Sequence, residues 1–285
     1  MIFAAHGGSL PVHRRRHTDP PMLSWSINLF RIRGIQLALH SSFLLLLAYW
    51  AYYGYQDAGV PGMTWSVIEL AAFFSCVVLH ELGHSFTGMH FGYKVRRILL
   101  MPIGGMAQFD SIPRQPRQEL LMTLAGPAVN FVLAGLLYLI VRFPDGWDAY
   151  LTPVTLGDVG RQLFIANLWM GIFNLAPAFP MDGGRILRAL LATRFTYLRA
   201  TFVAATVGKV LCVTAIALVL YFHNDLQTGQ VILRVVLFAF IFQAGEAEYR
   251  MVKQREILEA QWRQMMAQAA VRHVPPPPEP PILGP

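Results

Sequence analysis

The chain has 285 residues, of which 55% are hydrophobic and only 14% are charged, and its mean hydropathy is +0.44. This composition is too apolar for an ordinary soluble domain and predicts a membrane protein with one helical core. The net charge of +7 does not indicate nucleic-acid binding, because the basic residues cluster beside apolar segments, as membrane topology requires. Both cysteines fall within apolar segments, so no disulfide framework is predicted.

The N-terminal segment, residues 1–26, combines three consecutive arginines with scattered histidine and proline. It contains no apolar core of the length that a secretory signal peptide has. We expect this segment to be disordered and cytoplasmic. From Ile27 to Gln36, apolar residues alternate with Arg31 and Arg33, which predicts an interfacial approach to the first membrane span.

Six apolar segments follow, most of them near the length that crosses a bilayer as a helix. Their limits are Leu37–Tyr53, Met63–His84, Leu120–Val141, Gln162–Ala178, Ala200–Phe222 and Gln230–Gly245. Most of the 23 lysines and arginines lie in the N-terminal segment, the second-to-third and fourth-to-fifth connections and the C-terminal segment. The positive-inside rule therefore predicts cytoplasmic termini, and it places the ends of segments two and four at the same depth.

The second segment ends in HELGH, from His80 to His84. Residues four apart share a helix face, so both imidazoles can reach one metal ion, with Glu81 beside it as a general base. A chance match arises in about one chain in a hundred, and polar residues at the end of an apolar helix disfavour it further. Catalytic zinc normally takes three protein ligands, so one is still missing. Cys76 could neighbour the metal, although ordinary packing is favoured.

The connection from Val95 to Asp110 is short, partly rich in β-branched residues, and broken by Pro102 and by Gly104 and Gly105. It predicts a hairpin or a re-entrant segment, which is tolerated near a membrane only where protein or a water-filled cavity satisfies its backbone. The free edge of such a strand would suit a peptide substrate, which could add to it in extended form. The alternative is a plain cytoplasmic loop.

The third segment is interrupted by AGPAVN, residues 125–130. Close helix packing at the glycine, a bend at the proline and a buried interhelical hydrogen bond from the asparagine account for this sequence without chemistry. We therefore favour a structural role for it.

The fourth segment runs into NLAPAFPMDGGR, which begins at Asn174. Its two prolines break the helix, and Asp182 supplies the hard anionic group that could serve as the third metal ligand. The alternative is that Asp182 caps a short helix from Gly184 to Leu191. Both roles can hold for one carboxylate.

The C-terminal region divides into two parts. Residues 246–273 predict a charged amphipathic helix, at the cytoplasmic interface or in self-association. Residues 274–285 are rich in proline and predict a solvated, extended tail.

HELGH, PIGG, AGPAVN and NLAPAFPMDGGR, together and in this order, resemble the site-2 protease family of intramembrane zinc metalloproteases. The resemblance covers about residues 27–222 and is greatest to the compact six-span subgroup that includes the sporulation factor processing peptidase. It implies an all-α polytopic membrane protein, in residues 27–245, with a three-helix catalytic core and a small β or re-entrant segment after the HExxH helix. The connection at residues 142–161 is too short for the PDZ domain of some relatives, and no nucleotide-sensing CBS pair is expected.

The same resemblance implies site roles. It assigns one zinc ion per chain to His80, His84 and Asp182, although iron or cobalt could occupy the same ligands in vitro. It assigns acid/base catalysis to Glu81 and a role near the scissile carbonyl to Asn174. We expect the unwound substrate to lie along Gly104 and Gly105 while segments one, five and six gate its entry.

The implied function is hydrolysis of peptide bonds in or next to transmembrane segments, in regulated intramembrane proteolysis at the cell (inner or plasma) membrane. The implied partners are single-span substrates such as an anti-sigma factor, a membrane-tethered transcription factor or a signal-peptide remnant, with homo-oligomer formation left open. The alternative function is a zinc transporter or a catalytically inactive zinc scaffold. It is disfavoured because the polar cluster occupies one depth and keeps its general base.

Overall fold

The structure is a computed structural model that describes residues 25–111, 113–141, 155–223 and 227–272. The predictions for residues 1–24 and for the tail from residue 274 lie outside the described residues. The elements in chain order are β1 (Ser26–Ile32), β2 (Ile35–His40), α1 (Ser42–His90), β3 (Val95–Met101), β4 (Gly104–Phe109), α2 (Pro116–Val141), α3 (Leu156–Asn174), α4 (Asp182–Ala192), α5 (Tyr197–Tyr221) and α6 (Thr228–Arg272).

Four of these helices, α1, α2, α5 and α6, are long and apolar enough to cross a membrane. This confirms a mostly helical protein built for a membrane, but the number differs from the six predicted segments. The first two predicted segments form the single 49-residue helix α1, which is interrupted at Ala58 and Gly59, where Gly59 has a φ of 63°. The fourth predicted segment corresponds to α3, whose polar residues give it a lower hydropathy than the apolar stretches of α1, α2, α5 and α6.

The predicted start of the first segment at Leu37 is wrong. Leu37 lies in β2, and the helix begins at Ser42. The alternating residues before it form the antiparallel hairpin β1–β2, with Ile32 opposite Ile35 across a two-residue turn. Both turn residues, Arg33 and Gly34, have positive φ angles of 46° and 90°, the geometry that matches the twist of a tight hairpin.

The four strands form one sheet in the order β1-β2-β3-β4. Strands β2 and β3 are parallel, with Leu37 opposite Ile98, and are joined through helix α1. Strands β3 and β4 are antiparallel, with Met101 opposite Gly104. The hairpin predicted for Val95 to Asp110 is therefore confirmed, and the plain-loop alternative is wrong.

The sheet and helix α1 share one apolar core. Its buried members are Ile35, Leu37, Phe43, Leu70, Phe74, Val77, Leu82, Ile98 and Leu100. Phe43 and Phe74 meet edge to face, with ring centroids 4.6 Å apart. This core fixes the sheet against α1 and so sets the position of β4 beside the HELGH turn.

Helix α6 is continuous through residue 246, where the sequence suggested a change from a membrane span to an amphipathic helix. The division of the chain at that residue stays a prediction. Near its middle α6 contacts α5, with Lys209 donating to Glu246 at 2.9 Å. Further along, Arg114 and Glu259 form a bidentate ion pair that connects α6 to the segment before α2. Both ends of this pair are on the exposed surface.

Candidate metal centre

Three buried side chains from two helices converge on one point. His80 and His84 come from α1 and Asp182 from the first residue of α4. The two Nε2 atoms are 3.1 Å apart, and they lie 3.3 Å and 3.2 Å from Oδ2 of Asp182. Within the described part of the chain, this is the one cluster of three histidine, cysteine or acidic side chains compact enough for a shared metal ion.

Local sequence explains why Asp182 reaches the histidines. The chain turns between α3 and α4 through the cis peptide bond Phe179–Pro180. It then folds so closely that a Cβ on Gly184 would lie 2.7 Å from the backbone nitrogen of Phe179. Helix α4 begins at Asp182, and its cap residue, Met181, makes no side-chain cap hydrogen bond. The predicted alternative, in which Asp182 caps a helix starting at Gly184, is therefore not what the structure has.

Hydrogen bonds on the far side of each ring set its tautomer. Nδ1 of His84 lies 2.8 Å from the backbone carbonyl of Met122, and Nδ1 of His80 lies 2.5 Å from Oδ1 of Asn130. A carbonyl oxygen can only accept, so each Nδ1 carries the hydrogen and each Nε2 presents a lone pair. Oδ2 of Asp182, which faces both lone pairs, receives no hydrogen bond from a described residue.

Three acceptor atoms that face one another in a buried site repel unless a cation lies between them. Ligands bound tetrahedrally at 2.0–2.1 Å from zinc are about 3.3 Å apart, which matches the observed separations of 3.1–3.3 Å. Two imidazoles and a carboxylate are also a recurrent ligand set for catalytic zinc. The residues present therefore fit a zinc ion.

Glu81 lies between this cluster and strand β4. Its Oε2 accepts the backbone N–H of Ala107 at 3.0 Å, and a Cβ on Gly105 would lie 2.7 Å from its Cγ. Gly104, with a φ of 137°, begins the strand in a backbone conformation that other residues rarely adopt. Of the two glycines singled out in the sequence, Gly105 thus lies against the acidic side chain, whereas a Cβ on Gly104 would meet nothing within 4 Å.

Asn174 is the last residue of α3 and is half-buried. No hydrogen bond or ion pair between described residues joins its side chain to His80, His84 or Asp182. The structure thus brings together two histidines, Asp182, Glu81 and Gly105, while Asn174 is placed on the chain segment that leads into the cluster.

Three contributors to the site were missed by the sequence reasoning. Asn130 and the carbonyl of Met122 orient the two histidines, and a Cβ on Gly126 would overlap the His84 ring and lie 2.8 Å from Cε1 of His80. AGPAVN therefore serves the metal cluster as well as helix packing. The asparagine was the available signal, because a buried amide in an apolar helix needs a specific partner.

Cys76 does not join the cluster. It is buried one turn before His80, and its thiol lies near Asn167 of α3. The favoured expectation of ordinary packing thus describes its position better than a place beside the metal.

A second buried polar cluster lies on the same helix as Asp182. Arg188 is 1% exposed and pairs with Glu119 of α2 and Glu248 of α6, each at 2.5 Å. It also lies over the rings of Phe179 and Tyr197. Burial opposes its charge, but the neighbouring carboxylates outweigh that effect and raise the pKa of Arg188 above its usual value. The cluster ties α4 to α2 and α6, and no motif in the sequence pointed to it.

Comparison with known proteins gives three results. The sequence model described as Peptidase family M50 matches residues 68–158 and 159–215. A zinc metalloprotease of Methanocaldococcus jannaschii is 37% identical over 238 residues, which are 83% of this chain and 64% of that protein. The chain therefore spans less than two thirds of that relative. Stage IV sporulation protein FB of Bacillus subtilis is 26% identical over 175 residues, 61% of this chain and 56% of that protein.

The fold comparison agrees with the sequence comparison. A solved structure titled as a site-2 protease from Methanocaldococcus jannaschii aligns with a TM-score of 0.55 and 36% sequence identity. The alignment covers 79% of this chain and 95% of that one, so nearly all of the solved structure has a counterpart here.

Proposed function

The chain belongs to peptidase family M50, the site-2 protease family, and from this premise we propose that it is an intramembrane zinc metalloendopeptidase. It hydrolyses peptide bonds in or next to transmembrane segments of membrane-tethered substrates. The observation that carries the proposal is the convergence of His80, His84 and Asp182 on one buried point with Glu81 beside them.

His80, His84 and Asp182 are the residues that would hold one zinc ion. When bound, zinc supplies Lewis-acid chemistry, polarising a carbonyl and making a water molecule acidic near neutral pH. Glu81 accepts the proton of the attacking water and passes it to the leaving amine as the carbon–nitrogen bond breaks. Asn174 donates a hydrogen bond to the developing oxyanion, an interaction worth about 3 kcal/mol in the barrier.

The substrate binds in extended form along strand β4. This strand is at the end of the described sheet, and its outer edge lies beside Glu81, to which Ala107 donates its N–H. A substrate strand can therefore pair with β4 while its scissile carbonyl lies close to Glu81. The small Gly104 and Gly105 leave room for this approach, and the substrate helix has to unwind locally to expose its carbonyls.

The membrane arrangement is six crossings with both termini cytoplasmic, in the cell membrane. Two crossings come from α1, joined at the interruption by Ala58 and Gly59, and the others from α2, α3, α5 and α6. We retain residues 27–245 as the protease domain, flanked by a basic N-terminal segment, an amphipathic helix over 246–273 and a proline-rich tail. Single-span regulators or signal-peptide remnants are the substrates, and self-association through α6 accounts for any homo-oligomer.

A zinc transporter or an inactive zinc scaffold is not proposed. Transport requires ligands along a path, whereas the cluster of ligands among the described residues lies at one point. A scaffold has no use for a carboxylate such as Glu81 beside the ligands.

The test is cleavage of a membrane-spanning reporter by the detergent-purified protein, with zinc content measured on the same samples. Glu81→Gln should abolish cleavage and keep zinc, because it removes the base and no ligand. Asp182→Ala should lose both. Cleavage by all three proteins would exclude the proposed active site.

A further inference from the structure

A chain of hydrogen bonds runs from His80 into helix α3. Oδ1 of Asn130 faces Nδ1 of His80 at 2.5 Å, and Nδ2 of Asn130 donates to Oδ1 of Asn167 at 2.9 Å. Nδ2 of Asn167 in turn donates to the backbone carbonyl of Leu163 at 2.8 Å. Asn130 and Asn167 are both 0% exposed, so neither side chain is open to bulk solvent.

The direction of this chain is set at its far end. The Leu163 carbonyl can only accept, so Asn167 must present its amide nitrogen there and its oxygen to Asn130. Asn130 must then present nitrogen to Asn167 and oxygen to His80. His80 consequently carries its hydrogen on Nδ1, which leaves Nε2 free to face Asp182 at 3.3 Å.

We propose that Asn167, which lies outside every motif of the sequence, is a positioning residue for the metal centre. Through Asn130 it holds His80 in the tautomer whose Nε2 can bind zinc. The inference rests on the proposed role of His80 as a zinc ligand, and it adds the residue that sets the tautomer of His80 for zinc binding.

Without Asn167, the side-chain amide of Asn130 loses the hydrogen-bond acceptor that fixes its orientation. Its nitrogen would be left buried without an acceptor, at a cost of roughly 1–3 kcal/mol. Turning the amide over would give that nitrogen Nδ1 of His80 as its acceptor. The ring would then carry its hydrogen on Nε2, and the lone pair that zinc needs would be lost.

The experiment measures the zinc dissociation constant of the full-length, metal-stripped protein in detergent by competition with a chromophoric chelator. Asn167→Leu keeps the side-chain size and removes the acceptor. We expect it to weaken zinc binding by about 10- to 100-fold, the usual effect of removing a residue that orients a ligand. Thr201→Val is the matched control, since Thr201 is equally buried and, among the residues that the structure describes, its hydroxyl donates to the local carbonyl of Tyr197. It should bind zinc as the wild type does.

A rescue separates positioning from packing. In Asn130→Asp both carboxylate oxygens accept, so His80 donates from Nδ1 whichever way the group is turned. The double variant Asn130→Asp, Asn167→Leu should therefore bind zinc within a few-fold of the wild type. If Asn167→Leu does not yield folded protein, Asn167→Ala is measured with the same rescue.

Unchanged zinc affinity in the Asn167 variant would overturn the proposal. So would a loss of affinity that Asn130→Asp does not restore, because packing damage is not repaired by a new acceptor. Zinc affinity is measured without substrate, so this inference and the proposed function can fail separately. If the zinc affinities of the wild type and the variants differ as expected but the wild type cleaves no reporter, the proposed function is contradicted and this inference stands.

Discussion

Ala107 donates its backbone N–H to Oε2 of Glu81 at 3.0 Å, across the outer edge of strand β4. Ala107 is paired with Ile98 of β3, and its N–H points away from that strand. The outer edge of the sheet and the acidic side chain beside the metal cluster are therefore in direct contact. Because a backbone N–H makes this contact, it can be removed without changing Glu81.

Ala107→Pro should lower kcat about 10- to 100-fold while zinc content stays unchanged. Proline removes the N–H that holds Glu81 and takes no bond from the sheet, which tolerates proline at an edge. The loss of one hydrogen bond to a charged group is worth roughly 1.5–3 kcal/mol. Ala107→Gly keeps the N–H and should retain activity. Wild-type turnover by Ala107→Pro would show that Glu81 does not depend on this bond.

Gly126→Ala should abolish zinc binding, because the added Cβ would overlap the His84 ring. Gly135→Ala is the matched control on the same helix, where a Cβ meets nothing within 4 Å. The control should bind zinc normally and be stabilised by up to about 1 kcal/mol, since alanine favours a helix more than glycine does. Metal content and thermal melting measure the two effects. Full zinc occupancy in Gly126→Ala would contradict the described packing.

Gly105→Ala, unlike Gly126→Ala, should retain zinc but lose cleavage. Its Cβ would lie 2.7 Å from Cγ of Glu81 and 3.1 Å from Val77, so Glu81 is displaced while the ligands are not touched. Cleavage of the membrane reporter and zinc content, measured together, check this. Loss of zinc would mean that β4 supports the ligands themselves.

Arg188→Met should destabilise the protein by about 3–5 kcal/mol, because it leaves the carboxylate of Glu119 buried without its cation. Adding Glu119→Gln should recover part of that loss by removing the unpaired charge. The exposed pair between Arg250 and Glu246 is the control, and Arg250→Ala should leave stability nearly unchanged. Unfolding in detergent with increasing denaturant measures all three. Equal effects of Arg188→Met and Arg250→Ala would refute a structural role for the buried cluster.

Chelation of zinc should lower the melting temperature of the wild type and leave that of Asp182→Ala unchanged. A metal that binds only the folded state stabilises it by mass action, and this variant lacks the third ligand. Calorimetry with and without chelator makes the comparison. Equal shifts in both proteins would place the stabilising metal elsewhere.

The sequence by itself determined the features that depend on local geometry or on composition. The spacing of His80 and His84 places both on one helix face whatever surrounds them, and the apolar composition requires a membrane. The order of the four motifs indicated the family, and the hairpin after α1 was one of the structures that Pro102, Gly104 and Gly105 allowed. The chemistry of Asp182 suits the missing ligand position, which predicts a place for this residue beside the two histidines.

Only the tertiary structure decided the contacts between distant segments. Asn130 lies 50 residues from His80, and Arg188 lies 69 residues from Glu119, so no periodicity links either pair. Leu37 is predicted in a membrane span, but it lies in β2, which pairs with β1 and with β3. Helix α1 separates β2 from β3 in the sequence. Pairings of this kind depend on which faces of α1, α2 and the sheet come together, and that is settled by packing of the whole core and not by local sequence.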